Sequence, residues 1–259
     1  MDAGLALFLL LVGLSVGFLS GLLGIGGGIV MFPLLLYVPQ LLGLGSIDVK
    51  SVTGLTMTQG FFAALAALFY YHQNALVNRP LVLALGLSLF LSSLMGALVS
   101  KRIPDGALLI VFGVLALIAS AMMLVPRSHA RDEMTEDTVT FNKGLAVAIG
   151  IVLGFTIGLV GQGGAFILIP VLLYVLKIPL RVALGSTLAI GLFSSSAGLV
   201  GKLATGQVPF QLAIPLLVGA IPAARWGSIM GKKTNTRFLR WLLAALILAT
   251  AVKVWASLL

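Results

Sequence analysis

The chain has 259 residues, 60% of them hydrophobic and 9% charged, with a mean hydropathy of +1.17. Soluble domains carry about a quarter charged residues, so a water-facing surface is excluded and the chain reads as an integral membrane protein. A net charge of +9 from scattered loop residues, without a basic stripe interleaved with aromatics, speaks against nucleic acid, and the lack of cysteine excludes disulfides and thiolate chemistry.

In chain order, apolar runs fall at roughly 4–38, 51–71, 80–99, 106–125, 144–176, 182–201, 208–230 and 238–258. Met1-Asp2-Ala3 has no basic flank of the kind that precedes a cleaved signal segment, so the first run is read as the first span. Six runs have the length of one crossing, about 20 residues. The first and fifth are too long: a 35-residue helix would rise about 52 Å against a hydrocarbon core of about 30 Å. Both are interrupted by glycine. Each therefore reads as one crossing (about 4–23 and 144–160) followed by a half-span (about 28–38 and 165–176).

The interruptions are copies of one another. Gly17–Val38 and Gly154–Val175 are identical at 12 of 22 positions, including Gly21/Gly158, Gly24/Gly161, Gly26/Gly163, Gly27/Gly164, Pro33/Pro170 and Tyr37/Tyr174. At an offset of 131, Lys50-x-x-x-Gly54-x-Thr56 matches Arg181-x-x-x-Gly185-x-Thr187, and Gly96-x-x-x-x-Lys101-Arg102 matches Gly227-x-x-x-x-Lys232-Lys233. The expected fold is an all-α polytopic membrane protein of about eight transmembrane helices, built as two tandem four-helix repeats with a re-entrant segment in the first span of each. The repeats occupy 1–125 and 144–259 and are joined by a hydrophilic linker at 126–143. Four crossings per repeat make the copies parallel, whereas two full passes in each broken run would invert them. The parallel count puts nine basic residues on one side and six on the other, which sets the termini outside a bacterial-type inner membrane.

Unpaired backbone groups at a helix break cannot face lipid. In Gly26-Gly27-Gly28 the N–H groups can converge without side chains in the way, and the following helix adds the positive end of its dipole. Such a break suits an anion, and two facing breaks would frame one cavity near the midplane. Gly26, Gly27, Gly28, Gly163 and Gly164 are its candidate residues, whereas Gly17, Gly21, Gly154 and Gly158 have the small-residue spacing of close helix packing. Gln162 lies in the second break, where it either donates to an oxyanion or caps the helix end. The hydroxyls of Thr53, Thr56, Ser186 and Thr187, with Gln59, either face an anion or bond back to their own helices. Arg225 lies within the seventh span and either contributes to an oxyanion fork or snorkels to the interface. Lys202 ends the sixth span and reads as interfacial. His72-Gln73-Asn74 read as a wet helix end, and Ser194-Ser195-Ser196 as packing.

The seven acids, Asp2, Asp48, Asp105, Asp132, Glu133, Glu136 and Asp137, fall outside the apolar runs. No carboxylate is set for an intramembrane proton relay, no phosphate-binding loop couples ATP, and no catalytic or metal-ligand cluster argues for an enzyme. No cofactor is called for.

The duplicated G-x-G-G-x-x-x-x-P segment, Gly185-Ser186-Thr187-Leu188 and Gly227-x-x-x-Gly231-Lys232-Lys233 together resemble the TauE/SafE family of membrane transporters, over nearly the whole chain. The resemblance implies secondary transport, as an exporter, of sulfite or a small sulfonate or related sulfur oxyanion. An anion-selective channel and a non-transporting scaffold are the alternatives, and a homo-oligomer is left open.

Overall fold

The computed structural model describes residues 2–24, 26–71, 78–124, 141–161 and 165–258. These form ten helices and no strand: α1 (Ala3–Leu23), α2 (Gly28–Leu41), α3 (Val49–Tyr71), α4 (Arg79–Ser100), α5 (Asp105–Leu124), α6 (Lys143–Val160), α7 (Ala165–Tyr174), α8 (Leu180–Ala204), α9 (Phe210–Lys233) and α10 (Thr236–Leu258). Both over-long runs are split at their glycines, α1 from α2 and α6 from α7. Of the linker expected at 126–143, only Phe141, Asn142 and Lys143 are described; the Asn142 side chain accepts from the Leu145 N–H at 3.1 Å and starts α6.

Six helices, α1, α4, α5, α6, α8 and α9, are long and apolar enough to cross a membrane. The protein is an all-helical, multi-pass membrane protein. α3 and α10 are as long as these, at 23 residues each, and α3 carries Lys50, Thr53, Thr56 and Gln59. α3 can be polar because it is internal: every residue from Val52 to Gly60 is buried. α8 is its partner at the centre, with Met57 against Gly198 and both helices contributing to one cleft. Leu83, Leu87 and Leu91 of α4, Ile151 and Val152 of α6, and Ile214 and Val218 of α9 point outward, as lipid-facing residues must.

Small residues bring the surrounding helices together. Gly13, Gly17 and Gly21 of α1 lie against Leu216, Ala220 and Ala224 of α9. Gly150, Gly154 and Gly158 of α6 lie likewise against Ser88, Leu89 and Ser93 of α4, and Ser92 Oγ donates to the Gly150 carbonyl at 3.1 Å. At both seams residue numbers rise together, so each pair runs parallel. Each also joins the front half of the chain to the back half.

The direction of each helix follows from its end contacts. Gly4 faces Leu44, Lys50 Nζ donates to the Lys101 carbonyl at 3.1 Å, and Lys202 Nζ donates to Ser100 Oγ at 2.8 Å. The start of α1, the α2–α3 and α4–α5 connections and the end of α8 thus share one face, here the terminal face. At the opposite face the Asn78 N–H donates to Ser186 Oγ at 3.1 Å, joining the start of α4 to the start of α8. α3 leaves the terminal face and α8 arrives there, so these matching helices are antiparallel.

This corrects the parallel arrangement. A parallel chain requires an even number of passes per half. Here α2 turns back: Gly27, at its start, lies beside Val16, midway along α1, and its other end leads to Leu44. The broken run is a pass and a return, the number of passes in each half is odd, and the halves run in opposite senses. Cysteines introduced singly at Ser46 and Val175 test this, because the chain has no cysteine of its own. A membrane-impermeant maleimide should label the two from opposite sides; labelling from the same side would restore the parallel arrangement.

Candidate functional site

Each glycine break begins with the same local structure. α1 ends on Gly24 (φ +68°), whose N–H bonds the Ser20 carbonyl at 2.9 Å; α6 ends on Gly161 (φ +74°), whose N–H bonds the Ile157 carbonyl at 2.8 Å. The carbonyls of these two glycines are received by the opposite half. Thr56 Oγ1 of α3 donates to the Gly161 carbonyl, and Thr187 Oγ1 of α8 donates to the Gly24 carbonyl at 3.4 Å. Both threonines also bond back to their own helices, Thr56 to Val52 and Thr53 at 3.0 Å and Thr187 to Leu184 at 3.0 Å. Of the two uses weighed from the sequence, bonding back to the helix is the one present, and a carbonyl of the opposite half is added to it.

After the first break the chain passes through Gly26 and Gly27 (φ +68° and +72°) into α2. The α2 ladder starts with the Val30 and Met31 N–H groups, which bond the Gly27 carbonyl at 3.2 and 3.1 Å. As in any helix, the amides before them have no partner within it. Gly27 is in the left-handed region, and a Cβ there would meet Val16 and lie 3.2 Å from Gln59 Oε1, so only glycine fits. Gln59 is 0% exposed at the middle of α3, and neither Oε1 nor Nε2 has a hydrogen-bond partner among the described residues. An unmet buried amide costs about 1–3 kcal/mol. This one lies at the amino end of a helix, where an anion could accept from Nε2 and from the helix N–H groups.

Beside it, Gly24, Gly26, Gly60, Ala64, Thr187, Leu188 and Gly191 line a cleft too narrow to hold a water. The described ends of the two breaks lie at different levels. Gly24 is next to this cleft, whereas Gly161 is at Thr53 and Thr56. Thr56 and Ala64 are about 12 Å apart along α3, so Gly24 and Gly161 do not face each other at one level.

The remaining candidates separate. Ser186 accepts from the Asn78 N–H and so ties α8 to α4. Arg225 is exposed: Ala220, Ala224 and Ser228 turn one face of α9 to α1, and Arg225 is rotated off that face, outside the buried cluster. Gln162, Gly163 and Gly164 lie outside the described residues, as do His72, Gln73 and Asn74. Ser195 bonds its own helix at Gly191, as expected of packing, and Ser93 Oγ donates to the Ser194 carbonyl.

Lys202 is a correction. Expected at the interface, it is 0% exposed and donates to Thr53 Oγ1 (2.9 Å), Ser100 Oγ (2.8 Å), Gln207 Oε1 (3.1 Å) and the Leu159 carbonyl (3.2 Å). α8 continues past the apolar run to Ala204, and the following connection folds Gln207 back over its end. Ser100 and Gln207 were not singled out from the sequence. The available signal was a lone cation followed within five residues by a hydroxyl and an amide, Lys202-x-x-Thr205-x-Gln207.

A family model described as "Sulfite exporter TauE/SafE" matches residues 9–254. The chain belongs to the TauE/SafE family. Relatives of this family member include "Probable membrane transporter protein YunE" of Bacillus subtilis, 26% identical over 88% of this chain and 89% of its own length. Two more are a probable membrane transporter protein of Xylella fastidiosa (28% identical; 94% of each chain) and YjnA of Bacillus subtilis (25%; 95% of this chain and 98% of its own). No solved structure matches. The TauE/SafE chain is a membrane transporter, and its site is to be read as a path for a small solute.

The threonine caps make a separable prediction. Thr56→Val and Thr187→Val each leave a break carbonyl without its cross-half donor and should lower stability by about 1–3 kcal/mol. The sites are far enough apart for the two losses to add. Thermal unfolding of both single variants and the double variant in detergent measures this; no loss in either would show that the caps do not hold the breaks.

Proposed function

We propose that the protein is a secondary transporter that exports sulfite or a related small sulfur oxyanion or sulfonate, bound at the amino end of α2 and carried by relative motion of the two halves. The observation that carries this is Gln59: a fully buried amide with both ends unmet, facing Gly27 at the start of a half-helix. An oxyanion can accept from the Gln59 Nε2 and from the first amides of α2 while meeting the positive end of the helix. Thr187, on the wall of the cleft, can turn its hydroxyl from the Gly24 carbonyl to the ion. By sequence Gly163, Gly164 and Gln162 are the second half's counterparts of the first break's residues, and Thr53 and Thr56 lie at Gly161, which precedes them.

The architecture proposed is eight crossing helices and two half-helices in two inverted repeats. Its support is the sequence likeness of the halves together with their matched packing, α1 on α9 and α6 on α4. The narrowness of the cleft supports a carrier with alternating access over an open channel. Assigned by helix direction, eight basic residues of the described chain fall at the face opposite the termini: Arg79, Lys143, Lys177, Arg181, Lys232, Lys233, Arg237 and Arg240. Lys50, Lys101, Arg102, Lys202 and Lys253 are at the terminal face. The excess of basic residues there makes the opposite face cytoplasmic. Outward movement of one negative charge then gains about 2.3 kcal/mol per 100 mV of membrane potential.

Sulfite flux into proteoliposomes tests the reading. The protein should carry sulfite saturably, faster when an imposed potential favours anion movement. Gln59→Leu should reduce flux by about tenfold or more while leaving thermal stability equal or higher, since an unmet amide is replaced by an apolar side chain. Full flux in Gln59→Leu would remove the site, and no flux of any sulfur oxyanion in the parent protein would remove the substrate.

A further inference from the structure

Lys202 is the one charged side chain among the buried described residues, and the transport reading above does not use it. Its four acceptors are neutral: the hydroxyls of Thr53 and Ser100, the amide oxygen of Gln207 and the Leu159 carbonyl. They come from α3 and α4 in the first half and from α6 and the α8–α9 connection in the second. Leu159 is two residues before Gly161, so the ammonium lies at the entrance to the second glycine break. The nearby carboxylate is otherwise engaged: Asp105 lies 3.8 Å from Lys50, whose Nζ also bonds the Lys101 carbonyl.

Four neutral oxygens can be tied together by an amide or a water without the cost of burying a charge. A cation withdrawn from water calls for a counter-ion. The groups around this one are suited to receive it. The hydroxyls of Thr53 and Ser100, which now donate to the Lys50 and Ala97 carbonyls (2.7 and 2.6 Å), can rotate toward an ion, and Gln207 directs its Nε2 at Ser100 Oγ (3.1 Å) and Thr205 Oγ1 (2.7 Å). Together they offer an ammonium, hydroxyls and an amide to an ion with several acceptor oxygens. The charge is also one-sided, because the position matching Lys202 at the offset of 131 is Tyr71.

We propose that Lys202, Thr53, Ser100 and Gln207 form a second anion subsite, selective for a small oxyanion, at the terminal-face end of the path. It rests on the reading of the protein as an anion carrier and assigns that carrier its positive charge. Thr53 and Gln59 are about 9 Å apart along α3, so an ion leaving the α2 end can be handed to the ammonium in one short step. The occupant is the free ion rather than a lipid headgroup, because Thr53, Ser100, Lys202 and Gln207 are all buried.

Thermal shift and sulfite titration of the full chain in a detergent with an uncharged headgroup test this, with sulfite, sulfate and chloride at equal ionic strength. Sulfite should stabilise the parent protein. Lys202→Met should lose that stabilisation, with affinity weakened about 30-fold or more, while Lys202→Arg should keep most of it. Equal sulfite affinity in Lys202→Met and the parent overturns the subsite and leaves the transporter standing. No stabilisation of the parent by any sulfur oxyanion, together with no sulfite flux, overturns the transporter reading and the subsite with it. If Lys202→Met does not fold, Ser100→Ala keeps the charge and removes one donor. Weaker sulfite binding in that variant supports the subsite, and unchanged binding overturns it. Chloride stabilising as well as sulfite overturns the oxyanion selectivity. A Lys202-dependent shift on adding phosphatidylglycerol without sulfite overturns the free ion as occupant.

Discussion

A backbone that stops being helical inside a bilayer must find hydrogen bonds within the protein. The fold is organised around that constraint. α1 and α6 both end on left-handed glycines, and the carbonyls released there are taken by Thr187 and Thr56, each from the other half of the chain. Those threonines can reach the breaks because α3 and α8 are the central helices, buried enough to carry hydroxyls and an amide away from lipid. The glycine seams of α1 with α9 and α6 with α4 then close the bundle around them. Each half depends on the other, since a carbonyl of its break is received by a threonine of its counterpart.

The same constraint explains why function collects where it does. Capping threonines satisfy the carbonyl side of a break and leave the amide side, at the start of the next helix, still donating. Gln59 adds another unmet donor at that point in the first half; the matching position in the second half is Ile190. The halves share a scaffold and differ in polar equipment, with an amide beside one break and an ammonium beside the other. A path that treats its two ends differently can bind a solute on one side and release it on the other.

Much of this was legible in the chain. A 35-residue apolar run cannot be one helix in a bilayer, so the positions of the breaks followed from length and glycine alone, and the structure places them between Leu23 and Gly28 and between Val160 and Ala165. The prominence of Thr56, Thr187 and Gln59 followed from their being polar inside spans. Helix direction was not legible, because a glycine break can pass through or turn back, and hydropathy is the same for both. Lys202 was misplaced because an apolar run stops at the first cation, whereas the helix and its burial do not. Arg225 illustrates the converse: being inside a span does not say which face of the helix a side chain is on, and Ala224 next to it takes the packed face.

The most direct test of the central claim is where an anion sits in the protein. Selenite has the shape and charge of sulfite and a strong anomalous signal, so crystals grown with it would report its position without reference to any transport assay. The account predicts an anomalous peak inside the bundle, within hydrogen-bonding distance of Gln59 Nε2 and the first amides of α2. Peaks confined to the outer surface, with Gln59 bonded to protein alone, would contradict it.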